Sequence, residues 1–209
     1  MLLCNFFPTF FNYTYKTYGE DKALHKPIND LTLSWAASIG SGLVNGVSRL
    51  SCGWLNDKFS FRQIMLVLMA IEVVVALSVY WVVEIVPIYF ICVLLNYFAG
   101  GGLFAVFPNS VTRLFGLRVG PQIYSVILLA SILSSTLNLV MVDVLLDSMG
   151  FAACFYFSAL VTGVALVILY FFEEKLDSQR LYPVNGIVKS QDLRESVTVG
   201  CASAEETAQ

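Results

Sequence analysis

A single arginine, Arg49, lies deep within an otherwise apolar stretch of the sequence. Polar or small side chains flank it at intervals of three and four residues, which places them on one face of a helix: Ser38, Ser41, Asn45 and Cys52. A charged side chain inside a membrane helix is costly and usually faces protein or a water-filled cavity. Because a guanidinium group binds a carboxylate through two parallel hydrogen bonds, this face predicts one wall of a path for an anion. The alternative is an arginine that extends to the membrane surface or pairs with a nearby aspartate.

Two further segments carry polar side chains at helical spacing: Tyr124, Ser131, Ser134 or Ser135, and Asn138 in one, and Asn5, Thr9, Asn12 and Lys16 in the other. Each set falls on one face of a helix and could form another wall of the same path. Small and hydroxyl-bearing residues are also the ordinary packing surface between membrane helices. Both interpretations stay open for these two stripes.

Glu72 lies about 12 Å into an apolar segment at the helical rise per residue. It could carry a proton, or it could be a protonated acid hydrogen-bonded to a neighbouring helix. Neither Glu72 nor Asp143 belongs to a GxGD or HExxH motif, so we do not expect an enzyme.

Metal and cofactor sites have no support in the sequence. The five cysteines form no CxxC pair, and the single histidine, His25, lies in a polar stretch among lysines. The glycines at 100–102 are not followed by GK[ST], which excludes a phosphate-binding loop. They suit a closely packed helix or, with Pro108, a helix that bends.

The composition indicates that lipid surrounds most of the segments in which these residues lie. Of 209 residues, 57% are hydrophobic and 13% are charged, against about 25% charged in soluble domains. Mean hydropathy is +0.75, and a water-soluble fold of this size could not bury so much apolar surface. A net charge of −3 gives no basic surface, so nucleic-acid binding is not expected.

Six apolar segments predict an all-α membrane protein: about 1–18, 33–54, 64–83, 87–111, 121–146 and 150–172. A helix needs about 20 apolar residues to cross the bilayer core, and all but the first segment meet that length. The polar stretch 173–209 is predicted to be a disordered tail.

Orientation follows from the positions of Lys and Arg, which concentrate in cytoplasmic loops. If the chain starts in the cytoplasm, the inner side holds most of these residues: Lys58, Arg62, Arg113, Arg118, Lys175, Arg180, Lys189 and Arg194. The outer side holds Lys16, Lys22 and Lys26. The tail is therefore predicted to be cytoplasmic.

Residues 53–62 resemble the signature loop G-x-L-x-D-[KR]-x-G-x-[KR] of the major facilitator superfamily, with Ser60 in place of the second glycine. The resemblance implies a gating loop in which four residues match the pattern: Gly53, Asp57, Lys58 and Arg62. Members of this superfamily have two six-helix halves, and this chain resembles the carboxy-terminal one. The chain is then expected to move a solute through a site between two halves.

Within that superfamily, the run from Asn45 to Arg49, followed by Gly53, resembles the eighth helix of oxalate/formate antiporters and monocarboxylate transporters. The dipeptide Phe107-Pro108, the run 114–116 and Tyr124 resemble the same group. The resemblance implies that Arg49 contacts the substrate carboxylate. Together with the polar stripes it predicts a substrate site of these residues: Arg49, Asn45, Ser41, Tyr124, Ser131, Asn138 and Asn12. Oxalate-type proteins carry a lysine where Ser131 aligns, so the expected substrate is a monocarboxylate. The expected partners are the lipid bilayer, a small organic anion and an amino-terminal six-helix half. The alternative is a truncated or separately encoded half without transport activity of its own.

Overall fold

The computed structural model describes residues 1–20 and 28–172, and these residues form helices without any strand. Seven helices follow one another: α1 (Phe6–Glu20), α2 (Asp30–Ser38), α3 (Asn45–Lys58), α4 (Phe61–Val82), α5 (Val86–Gly116), α6 (Arg118–Leu145) and α7 (Ser148–Phe171). The predicted disordered tail, 173–209, lies outside the described residues, as does His25. Among the described helices, α4 to α7 are each long and apolar enough to cross a membrane.

A π-helical turn, Ile39–Val44, joins α2 to α3 so that the two form one rod. Such turns insert an extra residue into a helix and often lie at functional sites. Gly40 in this turn packs against the ring of Tyr97, where a Cβ would lie 2.2 Å from Cδ2. The turn therefore brings its backbone against α5 immediately before Asn45.

Ser60 fixes the start of α4. Its hydroxyl accepts a hydrogen bond from the backbone N–H of Gln63 at 3.4 Å, and Gln63 Oε1 accepts one from the N–H of Ser60 at 3.3 Å. This reciprocal capping satisfies two backbone donors that the first helical turn leaves free. The residue that departs from the loop pattern thus has a role as a helix cap.

Two glycines with positive φ interrupt the helical backbone in this part of the chain, Gly116 at the end of α5 and Gly150 within the first turn of α7. Gly116 has φ 79° and Gly150 has φ 74°, values that cost a residue with a side chain strain energy. Helix α5 ends at Gly116 and α6 begins at Arg118. Both helices therefore extend further toward Gly116 than the predicted apolar segments 87–111 and 121–146. Polar helical turns such as the one around Arg113 carry no hydropathy signal.

The core beneath α1 is aromatic. Phe7, Phe10 and Phe11 are fully buried, and the Phe11 ring lies 6.1 Å from Phe155 of α7. Tyr89 of α5 is buried in the same cluster and donates its hydroxyl to the carbonyl of Tyr15 at 2.6 Å. The short helix α1 is therefore held by α5 and α7.

Helices α4 and α7 pack antiparallel along their length. Arg62 donates a hydrogen bond to the carbonyl of Tyr170 near one end, and the rings of Tyr80 and Tyr156 lie 6.3 Å apart near the other. From residue 62 to residue 80 is about 27 Å at the helical rise. Since aromatic residues collect at the two surfaces of a hydrocarbon core about 30 Å thick, these pairs mark the ends of the spans.

Candidate functional site

Arg49 lies on α3 with its side chain exposed. Its Nε donates a hydrogen bond to Oδ1 of Asn45, one turn earlier, at 2.9 Å. Across residues 1–20 and 28–172, the one ion pair within 4 Å is Lys16–Asp30, so no described carboxylate neutralises Arg49. The guanidinium thus keeps its outer N–H groups available to a ligand.

Asn45 is fixed in turn by α5. A Cβ on Gly101 would lie 2.9 Å from Oδ1 of Asn45, 3.0 Å from its carbonyl oxygen and 3.2 Å from its Cα. Gly102 approaches the next turn of α3, where a Cβ would lie 2.8 Å from Sγ of Cys52. Two of the three consecutive glycines therefore serve close packing against α3, and that packing positions the partner of Arg49.

Tyr124 of α6 lies close enough to Arg49 for the two groups to interact electrostatically. A hydrogen bond joins Arg49 to Asn45 on the same helix, and Tyr124 of α6 lies within reach of the Arg49 charge without a hydrogen bond to either residue in the described part of the chain. Ser41 lies exposed in the π-helical turn before Asn45. Of these residues, Ser41 and Arg49 are exposed, while Asn45 and Tyr124 are half-buried.

Asn12 of α1 is exposed and accepts a hydrogen bond at Oδ1 from Nδ2 of Asn96 at 2.9 Å. Asn96 is buried, and its own Oδ1 has no partner in the described part of the chain. The sequence reasoning missed Asn96, although a carboxamide within the apolar run of α5 was a signal. The pair ties α1 to α5.

Asn138, the last residue of the polar stripe on α6, packs against α1. Asn138 is fully buried and donates from Nδ2 to the carbonyl of Phe6 at 3.1 Å and to that of Ser134 at 3.0 Å. Ser131 is also buried. The structure therefore places Asn138 in a contact between α6 and α1, while the buried Ser131 hydroxyl has no hydrogen-bond partner among the described residues.

In the resembled loop such charges form a latch that holds one conformation; in this structure the described charges of the loop form no ion pair with one another. Asp57 and Lys58 are exposed, and Lys58 Nζ lies 3.8 Å from the centre of the Trp54 ring. Arg62 is engaged with the carbonyl of Tyr170 rather than with Asp57. A side chain at Gly53 would meet nothing within 4 Å. The two cations of this segment therefore contact Trp54 and Tyr170, and Asp57 forms no ion pair within the described residues.

A family comparison identifies the bundle. The family model of the Major Facilitator Superfamily matches residues 1–201. The chain belongs to the major facilitator superfamily. It is accordingly an integral membrane protein of a family that transports small solutes across membranes and is generally not enzymatic. Comparison with curated proteins and comparison with solved structures each found no match.

In this facilitator chain, hydrogen bonds from Asn56 hold the end of α3 to α5. Asn56 is buried and donates from Nδ2 to Oγ of Ser110 at 3.1 Å, and Ser110 donates back to Oδ1 of Asn56 at 3.4 Å. Arg113 donates to the carbonyl of Asn56. The sequence reasoning missed this contact, because it used Arg113 only to count charges.

Glu72 of the facilitator chain is fully buried in α4, and neither carboxyl oxygen has a hydrogen-bond partner among the described residues. The pairs Arg62–Tyr170 and Tyr80–Tyr156 set the register of α4 and α7, which places Thr162 level with Glu72. The Thr162 hydroxyl donates its hydrogen bond to the carbonyl of Ser158 at 3.0 Å. The hydrogen bond to a neighbouring helix that the sequence left open for Glu72 is therefore absent among the described residues. A search of the described residues found no cluster of three potential metal ligands.

Proposed function

We propose that the chain is one half of a transporter that moves a small organic anion, a monocarboxylate, by alternating access. One observation carries the proposal: Arg49 is held by Asn45 at 2.9 Å, and no described carboxylate neutralises it. Arg49 lies nine residues before the end of α3, which is about 14 Å at the helical rise. That depth is close to the middle of a hydrocarbon core about 30 Å thick. Transporter sites lie near this level, between two repeats.

A single cation favours a single carboxylate. Within the middle of the described spans, Arg49 has no second Lys or Arg beside it, and Ser131 stands where oxalate-type transporters carry a lysine. A guanidinium group offers two parallel N–H donors to one carboxylate. The Tyr124 hydroxyl and the exposed Ser41 supply neutral hydrogen-bonding groups on the same side. The proposed role of Asn12, at the edge of the same surface, is to orient the neutral end of the substrate.

Two exposed apolar faces support a partner half. On α6 the exposed large side chains follow one helix face: Val126, Leu129, Leu133, Leu137 and Val140. On the π-helical turn and α3 another face is exposed: Leu43, Val47 and Leu50. Since both faces flank the proposed site, we infer that a second six-helix half packs on them and closes the cavity. Without it, the chain would be the inactive half that the sequence left as an alternative.

The test measures uptake of a radiolabelled monocarboxylate into vesicles that contain this chain together with an amino-terminal half. Arg49→Gln and Arg49→Lys should both abolish uptake at matched protein levels, because a point charge cannot reproduce the paired N–H donors. Arg118→Gln, at the exposed start of α6, is the matched control and should retain uptake. Normal uptake by both Arg49 variants would contradict the proposal.

The orientation of the chain is part of the same proposal. We place the turn between α3 and α4 and the segment after α7 in the cytoplasm, because the basic residues concentrate there. A reporter fused after Gln209 should then be active in the cytoplasm. A glycosylation tag at Lys26 should be modified, and the reverse pair of results would contradict the orientation.

A further inference from the structure

An apolar groove follows α4 where α3 and α4 diverge. Both helices pack extensively on the Val86–Val140 segment but barely touch each other. The gap between them is a hollow of about 570 Å³, with Leu55 and Phe59 on one side, Val67 and Ile71 on the other, and Phe98 of α5 between them. Gln63 is the polar side chain at one end. Arg49 is not among the residues that line the groove.

The groove is about as long as one leaflet of a membrane is deep. A second hollow of about 330 Å³ shares Val67 and Ile71 with the first and continues to Val74. From Gln63 to Val74 the helical rise amounts to about 17 Å. Half of a hydrocarbon core about 30 Å thick is about 15 Å. A chain that enters at Gln63 would therefore end near the middle of the bilayer.

A cation lies just beyond the residues that line the groove, at the end of α3 near the α3–α4 turn. Lys58 lies three residues after Leu55, on the same side of α3, and its ammonium group rests on the exposed Trp54 ring at 3.8 Å. In the part of the chain that the structure describes, no carboxylate pairs with it. Tryptophan and lysine together at a helix end are typical of the headgroup level of a membrane. The groove thus has an apolar body of leaflet length and a positively charged mouth.

We propose that the groove binds one acyl chain of an anionic glycerophospholipid, with the phosphate group at Lys58. A lipid tail is the apolar group available at this depth, and an exposed valine wall such as Val67 and Val74 gains from covering. The charge at the mouth selects an anionic headgroup over a zwitterionic one. This site is independent of the transported substrate and of Arg49.

Photocrosslinking in vesicles tests the proposal. The full chain is reconstituted in phosphatidylcholine that contains phosphatidylglycerol with a diazirine on its acyl chain, and adducts are located by peptide mass spectrometry. Adducts should concentrate on residues 63–74 relative to the exposed face of α7 that contains Leu160, Val164 and Val167. Lys58→Gln should reduce groove labelling by phosphatidylglycerol about fivefold, the effect of one cation near an anionic surface. It should leave labelling by a phosphatidylcholine diazirine unchanged. Equal labelling of both helices would overturn the proposal.

A second variant keeps the test informative. Val67→Trp obstructs the junction of the two hollows, while Val164→Trp adds the same side chain to the exposed face of α7. The first should lower groove labelling and the second should not, in samples of matched melting temperature. If Val67→Trp fails to fold, Val67→Phe replaces it. A groove that no lipid labels is covered by protein, and that result also overturns the proposal.

Discussion

Nε of Arg49 lies 2.9 Å from the amide oxygen of Asn45, one helical turn earlier on α3. This bond uses the inner edge of the guanidinium and turns its two outer nitrogens away from the helix. If these nitrogens bind the substrate, the side chain at position 45 should affect the affinity for the substrate. Asn45→Ala should raise the KM for uptake about tenfold, because the lost hydrogen bond involves a charged group.

Asn45→Asp provides the sharper comparison, because it keeps the shape of the side chain and adds a negative charge. A carboxylate at 45 would pair with Arg49 and compete with the substrate anion. Uptake should therefore fall further in Asn45→Asp than in Asn45→Ala, when both are measured at matched expression. Equal losses in the two variants would mean that Asn45 acts through packing alone.

The glycines at 100 and 101 offer a matched pair for the α3–α5 contact. A methyl group on Gly101 would come within 2.9 Å of Asn45, whereas one on Gly100 would lie 3.7 Å from Cβ of Pro8, an ordinary contact. Overpacking of this kind costs about 1–3 kcal/mol of unfolding free energy. Gly101→Ala should lower the melting temperature in detergent and weaken uptake, while Gly100→Ala should change neither. Equal melting temperatures would show that α3 moves aside freely.

Some of this site could be predicted because it is local. The Asn45–Arg49 bond joins residues one turn apart, so spacing alone places both on one face. Ser60 as a helix cap was likewise readable from Ser60 followed by Gln63 three residues later. The nearness of Tyr124 to Arg49 was expected only through the resemblance to transporters, because nothing in the intervening sequence sets the packing of α6 beside α3.

Other features depend on packing that the sequence does not encode locally. The contact of Asn56 with Ser110 and Arg113 joins residues more than 50 positions apart. The π-helical turn Ile39–Val44 has the composition of an ordinary membrane helix, and the close approach of Gly40 to Tyr97 explains it only once α5 is in place. The polar stripe of α6 shows the same limit, since its spacing fits a cavity wall and a helix contact equally.

Substitution of Asn56 should lower the stability of the chain, whereas substitution of Asp57 should not. Asn56 is buried between α3 and α5, so Asn56→Ala leaves Ser110 without a partner and should cost about 1–3 kcal/mol of unfolding free energy. Asp57→Asn alters an exposed side chain and should leave the melting temperature unchanged. The expected charge latch predicts instead that Asp57→Asn changes labelling of cysteines placed in the cavity. Thermal melting and cysteine labelling on the same two variants separate the stability role from the gating role.

Two alternative roles for Glu72, a buried acid without function and a proton carrier, can be distinguished with one pair of variants. A buried carboxyl group without a hydrogen-bond partner lowers stability, by about 1–3 kcal/mol in protein mutational data. Because Glu72 is enclosed and its carboxyl oxygens have no described hydrogen-bond partner, we expect Glu72→Met to raise the melting temperature. Uptake by Glu72→Gln should keep the pH dependence of the parent protein. If Glu72 instead carries a proton, Glu72→Gln should remain folded while uptake loses its dependence on external pH. The measurement is uptake between about pH 5 and pH 8, the range in which proton coupling acts, with Glu84→Gln, at an exposed loop, as the control.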